Sequence, residues 1–200
     1  MKRITIFILA VISINVYSQL TEYKSYYDNG KIKECGYYSE NELKTGEWKG
    51  YYESGKLLNI TLWKKGKENG ISKSYFETGV MSLERHFKKG KFHGKLIDYY
   101  ENGLVKSMEH YKNGTLDGKQ SEYYSNGTYK VIEYYRRGKR INEREDYYEN
   151  GQLSLVCEYK RGLPKDWKSF NQNGEIDAYG TYKKDEKIIL FNRNNDSELK

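Results

Sequence analysis

The pentapeptide YYENG occurs twice in this 200-residue sequence, at Tyr99–Gly103 and again at Tyr147–Gly151. Five-residue segments of the same kind, with an aromatic residue first and Gly fifth, begin at Tyr26, Tyr51, Tyr75, Tyr99, Tyr123, Tyr147 and Phe170. Successive starts are 23 to 25 residues apart. A period of this length, kept over seven copies, is the signature of a tandem repeat array.

Further positions of the repeat keep the same register. The seventh residue of each repeat is apolar or aromatic: Ile32, Leu57, Met81, Val105, Tyr129, Leu153 and Ile176. The thirteenth residue is always aromatic: Tyr38, Trp63, Phe87, Tyr111, Tyr135, Tyr159 and Tyr182. A Gly at the sixteenth position recurs in five repeats: Gly66, Gly90, Gly114, Gly138 and Gly162. Because all these positions agree, each repeat is expected to fold as the same structural unit.

That unit is predicted to be a β-hairpin. Asn102-Gly103 and Asn113-Gly114 are dipeptides that favour tight turns between antiparallel strands. The segment between them, Leu104–Lys112, has the length of a strand, and Val105 and Tyr111 share one of its faces. The sequence therefore predicts an all-β protein of about 14 strands in one elongated antiparallel meander. A sheet of that length is expected to twist or curl.

The composition fits a thin sheet better than a deep core. Only 36% of the residues are hydrophobic, yet 22 are Tyr. Adjacent residues on a strand point to opposite faces, so Tyr99 and Tyr100 are expected to place one ring on each side. The last repeat has Asn171 in place of the second aromatic residue, as a terminal cap would. The array is predicted to span residues 19–190, followed by a polar tail at 191–200.

The N-terminus differs from the repeats. It reads MKRITIFILAVISINVYSQ, in which Lys2 and Arg3 precede an apolar run from Ile4 to Val16. This layout predicts a secretory signal peptide at residues 1–18, with cleavage after Ser18. The alternatives are an uncleaved anchor and a buried first strand. The expected location is therefore outside the cytoplasm: the periplasm, the cell envelope or the exterior.

The segment Tyr99–Tyr124, YYENGLVKSMEHYKNGTLDGKQSEYY, resembles the MORN-repeat variant. The pattern of that family is Tyr-Tyr-x-Asn-Gly-x-Leu, then Tyr-x-x-Gly, then Gly. The resemblance covers about residues 23–190 and is similar to arrays assigned to a bacterial antitoxin family. It implies a hairpin array that binds a protein or lipid partner. It implies no catalytic residue, because the Tyr and Gly of the motif build the fold.

The residues with reactive or metal-binding side chains are few and far apart. At about 4.8 Å per strand, Cys35 and Cys157 lie roughly 48 Å from each other, so no intramolecular disulfide is predicted. His86 and His110 occupy equivalent positions about 10 Å apart, too far to share a zinc ion, and His93 has another register. No nucleophile has a base nearby, and no phosphate-binding loop occurs. The sequence predicts a protein without catalytic residues, metal or cofactor.

The charges follow the repeat. The Tyr-Tyr turns carry acidic residues: Asp28, Glu53, Glu77, Glu101 and Glu149. The later turns carry basic residues, of which nine are the predicted partner-binding residues: Lys88, Lys89, Lys112, Arg136, Arg137, Lys139, Arg140, Lys160 and Arg161. In a stacked array these would form a basic edge and an acidic edge. The simpler explanation is that turn lysines provide solubility and prevent edge pairing.

The function predicted from these features is that of a non-enzymatic binding or scaffold module. A protein is the first expectation for the partner, followed by anionic lipid and polysaccharide. Nucleic acid is not expected, because export would separate the protein from it and no recognition motif occurs. Two other functions remain open. One is an antitoxin or immunity-like inhibitor of a toxin, and the other is glycan binding through the Tyr ladders.

The predicted signal peptide is tested by sequencing the N-terminus of the native protein and locating it by cell fractionation. We expect the mature chain to begin at Gln19 and to be found outside the cytoplasm, because Ser18 completes the cleavage site. An intact Met1 in the cytosolic fraction would contradict export. It would also favour the antitoxin alternative.

Overall fold

The structure, a computed structural model, describes residues 20–183 and 186–193. The predicted signal peptide and most of the predicted tail, residues 194–200, lie outside the described residues. The described residues form these strands: β1 (Thr21–Tyr26), β2 (Ile32–Tyr38), β3 (Lys44–Tyr51), β4 (Leu57–Lys64), β5 (Lys67–Tyr75), β6 (Met81–Lys88), β7 (Lys91–Tyr99), β8 (Val105–Lys112), β9 (Thr115–Leu116), β10 (Gly118–Tyr123), β11 (Tyr129–Arg136), β12 (Lys139–Tyr147), β13 (Leu153–Lys160), β14 (Leu163–Phe170), β15 (Ile176–Lys183) and β16 (Glu186–Asn192).

The strands form one open antiparallel sheet in which spatial order follows chain order. The predicted all-β hairpin meander is therefore confirmed. The strand number exceeds the predicted 14 for two reasons. β1 precedes the first Tyr-Tyr turn and adds a strand of its own. In addition, β9 pairs only with β8 and is separated from β10 by Asp117, so one irregular strand is divided into two segments.

Every Tyr-Tyr turn is closed by the same two backbone hydrogen bonds. In the fourth repeat the Tyr100 N–H donates to the Leu104 carbonyl at 2.8 Å, and the Gly103 N–H donates to the Tyr100 carbonyl at 2.9 Å. Equivalent pairs of bonds begin at Tyr27, Tyr52, Phe76, Tyr100, Tyr124, Tyr148 and Asn171. The fifth residue takes a positive φ, 83° at Gly103, which L side chains rarely adopt. This conformation explains why the fifth position is Gly in all seven repeats.

The second Tyr of the turn joins one repeat to the next. The Tyr100 hydroxyl donates to the backbone carbonyl of Tyr123, at 2.8 Å. Four other repeats make the same contact: Tyr27 to Tyr51, Tyr52 to Tyr75, Tyr124 to Tyr147 and Tyr148 to Phe170. The third repeat has Phe76 at this position and no hydroxyl to donate. The sequence pattern explains this Tyr only as a ring, whereas the structure shows that its hydroxyl ties neighbouring turns together.

One row of residues crosses the face of the sheet and holds most of the buried side chains. We call it the central row: Trp48, Thr61, Ser72, Arg85, Leu96, Glu109, Gln120, Glu133, Arg144, Cys157 and Trp167. Its ends are apolar, with Trp48 2% exposed and Trp167 4% exposed. Its middle is polar, although Ser72 is fully buried and Gln120 is 9% exposed. The apolar part of this row is thus divided between its two ends, while the buried apolar side chains Phe87, Ile97 and Ile132 lie on the middle strands outside the row.

The hydroxyl contacts between repeats are tested by a pair of opposite substitutions. Tyr124→Phe removes the bond to the Tyr147 carbonyl and is expected to destabilise the array by about 1 kcal/mol. Phe76→Tyr supplies the missing hydroxyl and is expected to stabilise it by a similar amount. Urea denaturation followed by circular dichroism measures both. If the Tyr124→Phe variant unfolds at the same urea concentration as the natural chain, these bonds do not stabilise the array.

Candidate functional site

The predicted basic residues are brought together along one edge of the sheet. Antiparallel order places every second turn on the same side, so the turns after β6, β8, β11 and β13 follow one another. Eight of the nine predicted residues are exposed: Lys88, Lys89, Lys112, Arg136, Arg137, Lys139, Lys160 and Arg161. We call these eight residues the basic edge. Two strands separate one turn from the next, so neighbouring clusters lie about 10 Å apart.

The turns of the basic edge have a demanding backbone conformation. Both central residues have positive φ, for example 51° at Arg137 and 75° at Gly138. This is the type I′ geometry that suits a two-residue hairpin. Only the turn after β8 has the favoured Asn-Gly pair, at Asn113-Gly114. In the others a Lys or Arg takes the left-handed position, which costs free energy that neighbouring contacts must offset.

Hydrogen bonds from the preceding repeat hold these turns in place. The Gly138 N–H donates to the Leu116 carbonyl, at 2.8 Å. The backbone N–H of the left-handed residue donates a hydrogen bond to a side chain of the repeat before it. These pairs are Lys89 to Asn69 at 3.1 Å, Asn113 to His93 at 3.4 Å and Arg137 to Asp117 at 3.2 Å. In the turns after β6, β8 and β11 the backbone that carries the cations is therefore fixed, while their side chains extend into solvent.

Two further cations belong beside this edge. Lys139 is the seventeenth residue of its repeat, and Lys67 and Lys91 have the same position in theirs. Both are exposed at the start of a strand. The side-chain stem of Lys67 lies beside Gly90, and that of Lys91 lies beside Gly114. A Cβ added at Gly90 would be 3.6 Å from Lys67 Cβ. The repeat period alone would have identified them, because they occupy the register of Lys139.

Arg140 differs from the other predicted residues. Its guanidinium lies on the sheet face, with one nitrogen 2.9 Å from the Glu133 carboxylate and 3.0 Å from the Tyr135 hydroxyl. The Tyr159 ring is 4.7 Å away. Within residues 20–183 and 186–193, the eight residues of the basic edge form no such ion pair. The prediction placed Arg140 at the edge because it is close in sequence to Arg136 and Arg137. In the structure Arg140 lies on β12, and its side chain points onto the sheet face.

Glu133 is the centre of a charged cluster on that face. Its carboxylate accepts hydrogen bonds from Arg140, from Arg144 at 3.0 Å and from the Tyr135 hydroxyl at 2.7 Å. Burial acts to lower the pKa of Arg140, but the charge of Glu133 together with the contacts to Tyr135 and Tyr159 outweighs it, and the pKa is raised. Burial, followed by the hydrogen bond to Glu133, raises the pKa of Tyr135. The cluster is neutralised internally and stabilises the middle of the sheet.

The opposite edge is less uniform than the sequence predicts. The acidic residues of the Tyr-Tyr turns are exposed there, as expected. However, the Lys31 ammonium donates to the Ser54 carbonyl and the Lys56 ammonium to the Glu77 carbonyl, each at 2.8 Å. These lysines introduce positive charge into the first repeats of the acidic edge. The basic edge is therefore the more consistent of the two charged edges.

The reactive side chains have structural contacts. Cys35 on β2 and Cys157 on β13 are free thiols. His86 contacts the Glu84 carboxylate at 2.8 Å, and His110 contacts the Lys119 carbonyl at 2.7 Å. In the part of the chain that the structure describes, no group of three or more His, Cys, Asp or Glu residues could hold a metal ion. None of the described helices is long and apolar enough to cross a membrane.

A family model described as MORN repeat variant matches six consecutive segments of the chain: residues 20–40, 44–65, 68–89, 92–113, 116–139 and 140–161. Together they cover more than half of the 200 residues. The chain belongs to the MORN repeat variant family. A typical matched segment, 44–65, contains β3, the Tyr-Tyr turn and β4, which is one hairpin of the meander. A search of curated proteins finds no match.

The MORN array continues beyond the last matched segment. β14 and β15 form another hairpin, whose turn has the same two hydrogen bonds at Asn171 and Gly174. The motif residues of the family thus serve turns and strand packing, and the side chains between them differ from repeat to repeat. Such an array is compatible with a binding module, and the family is generally non-enzymatic.

The Tyr–carboxylate pairs on the strands predict a loss of stability at high pH. Burial, followed by the hydrogen bond to Glu109, raises the pKa of Tyr111 to about 12. The unfolded chain loses this proton near a pH of about 10, so stability present below that pH falls as the pH approaches 12. Urea denaturation over this range measures the decline.

Tyr111→Phe is expected to make the decline shallower, whereas Tyr26→Phe, at a ring that is 57% exposed, should leave it unchanged. If the free energy of unfolding falls equally steeply with pH in the Tyr111→Phe variant and in the natural chain, Tyr111 does not cause the loss of stability.

Proposed function

We propose that this protein is an exported, non-enzymatic MORN array that binds an anionic partner, in the first place a protein, along its basic edge. The observation that carries this proposal is the row of exposed cations that form no ion pair among the described residues, on turns of which three are held by hydrogen bonds to the preceding repeat. Export rests on the N-terminal segment, in which Lys2 and Arg3 precede the apolar run from Ile4 to Val16.

The geometry of the edge favours an extended partner. A single exposed ion pair contributes about 0–1 kcal/mol, so one turn cannot hold a partner alone. Four turns in succession, from Lys88-Lys89 to Lys160-Arg161, offer repeated contacts at intervals of about 10 Å. Because three of these turns are already held by hydrogen bonds to the preceding repeat, little backbone freedom is lost there on binding. An acidic strand edge or helix with regularly spaced carboxylates would match this spacing.

A protein partner fits the edge better than a lipid surface or a polysaccharide. The basic turns are interrupted by Asn113 and Asp117, so the positive potential forms separate clusters. Separate clusters of defined spacing suit a partner with fixed charges, whereas a membrane surface requires only dense positive charge. An antitoxin or immunity role is one form of this proposal, in which the partner is a toxin of the same compartment.

Glycan binding through the Tyr ladders has less support. The rings that would stack on sugars contact one another, as in the pair Tyr123 and Tyr129, whose centroids are 4.8 Å apart. The hydroxyls of the second Tyr in five repeats are engaged by backbone carbonyls. Rings held in this way build the array, and Tyr129 keeps 38% of its surface exposed.

The proposal is tested by site-specific photo-crosslinking in the native host. A photoreactive residue at Arg137 is expected to capture an acidic protein, whereas one at Lys95, which is exposed on a strand, is not. The captured protein, identified by mass spectrometry, is then purified for binding measurements. Arg136→Ala with Arg137→Ala should weaken its affinity about tenfold, since two charge contacts are removed.

The matched control removes two cations elsewhere, by Lys95→Ala with Lys106→Ala, and should change the affinity less than about twofold. Binding is expected to weaken as salt is added. Affinity that is unchanged in the Arg136 and Arg137 variant would refute the basic-edge proposal. If the Arg136 and Arg137 variant loses binding to anionic vesicles and no protein partner is captured, the edge is assigned to a lipid surface.

A further inference from the structure

A polar groove of about 420 Å³ lies on the sheet face, away from the basic edge. It is lined by side chains of β8, β10, β11 and β12, among them Glu109, Gln120, Glu122, Glu133 and Arg144. It occupies the polar middle of the central row, between the apolar ends. The contacts that build the fold leave two acceptors in this groove without a full set of partners.

The first acceptor is the side-chain amide of Gln120. This residue is 9% exposed, and its Nε2 donates to the His110 carbonyl at 3.4 Å. Its Oε1 is buried and has no hydrogen-bond partner. Buried polar atoms in native proteins are nearly always paired, so an orphaned carbonyl oxygen on a residue that lines a groove indicates a missing donor.

The second acceptor is the carboxylate of Glu109, on the neighbouring strand. It accepts the Tyr111 hydroxyl at 2.7 Å. In the described part of the chain no cation pairs with it. The other carboxylates of the groove are neutralised. Glu133 is paired with two arginines, and Glu122 lies 3.6 Å from the Lys130 ammonium.

We infer that this groove binds a cationic nitrogen group, a primary ammonium or a guanidinium, between Gln120 and Glu109. Such a group donates one hydrogen bond to the Gln120 Oε1 and places its charge beside the only groove carboxylate that lacks a cation among the described residues. The site has the opposite charge preference to the basic edge, so it is a second, independent contact. The group is the side chain of a Lys or Arg on a partner protein, or a small organic amine.

An anionic ligand fits the groove less well. The Arg144 guanidinium is held by Glu133 and by Asp146, the latter at 2.8 Å. The Arg140 Nε is buried without a partner, but the same guanidinium is bound by Glu133 and Tyr135. Binding an anion there would compete with these ion pairs, whereas a cation at Glu109 disrupts none of them.

The inference is tested by nuclear magnetic resonance on the isotope-labelled full chain. The probes are capped Gly-Ser-X-Ser-Gly peptides in which X is Lys, Arg, norleucine or Glu. The Lys and Arg peptides are expected to shift the side-chain amide signals of Gln120 and the backbone amide signal of Glu109, which also reports on variants at position 120, and the norleucine and Glu peptides are not. Glu109→Gln should weaken binding about tenfold, because it removes the charge and keeps the shape.

Two further variants keep the test decisive. Gln120→Met removes the acceptor oxygen at nearly constant volume and should also weaken binding, even if Glu109→Gln disturbs the fold. Glu101→Gln, on an exposed turn, is the control and should leave the affinity within about twofold. Affinity for the Lys peptide that is unchanged by both groove substitutions, or equal binding of the Glu peptide, would overturn the inference.

The source of the cation is resolved by comparing the Lys peptide with n-butylammonium. Tighter binding of the peptide by about tenfold or more would assign the groove to a side chain of a partner protein. Equal affinity would assign it to a small amine. Absence of shifts with every cationic probe up to about 10 mM would refute the site altogether.

Discussion

The structure depends on hydrogen bonds between one turn and the next. A single hairpin is marginally stable, and among the described residues no second layer covers this sheet. Contacts between neighbouring repeats therefore supply the stability that a deep core would supply elsewhere. On one edge five Tyr hydroxyls donate to the following repeat, and on the other the N–H groups of Gly66, Gly90, Gly114 and Gly138 donate to the preceding one. With both edges fixed, the strands between them need only modest burial.

Much of the fold follows from local sequence, because its determinants are local. Positive φ at Gly103 and Gly114 is a requirement within each turn, and it recurs at the period of the repeat. The role of the second Tyr could not be read in this way. Its partner is a backbone carbonyl of another repeat, such as that of Tyr123 for Tyr100. Because every residue has a backbone carbonyl, the residue types do not show which one accepts the bond.

The candidate functional surfaces also differ in how far local sequence predicts them. The basic edge was predictable because turn residues of equal position must fall on one side of a meander. Arg140 was misplaced at that edge because its strand register, rather than its neighbours in sequence, decides which way it points. The groove at Gln120 was not predictable at all. Its significance lies in an oxygen without a partner, and only the surrounding atoms reveal that.

The direction of the Tyr contacts also has a consequence for how the chain is made. Each hydroxyl reaches forward to a carbonyl 22 to 24 residues later in the chain. A newly synthesised repeat therefore cannot complete its own edge until its successor has emerged. A chain that stops after any of these repeats leaves the hydroxyl of its last Tyr without the carbonyl that would accept it. Asn171, which has no such hydroxyl, ends this dependence in the final turn.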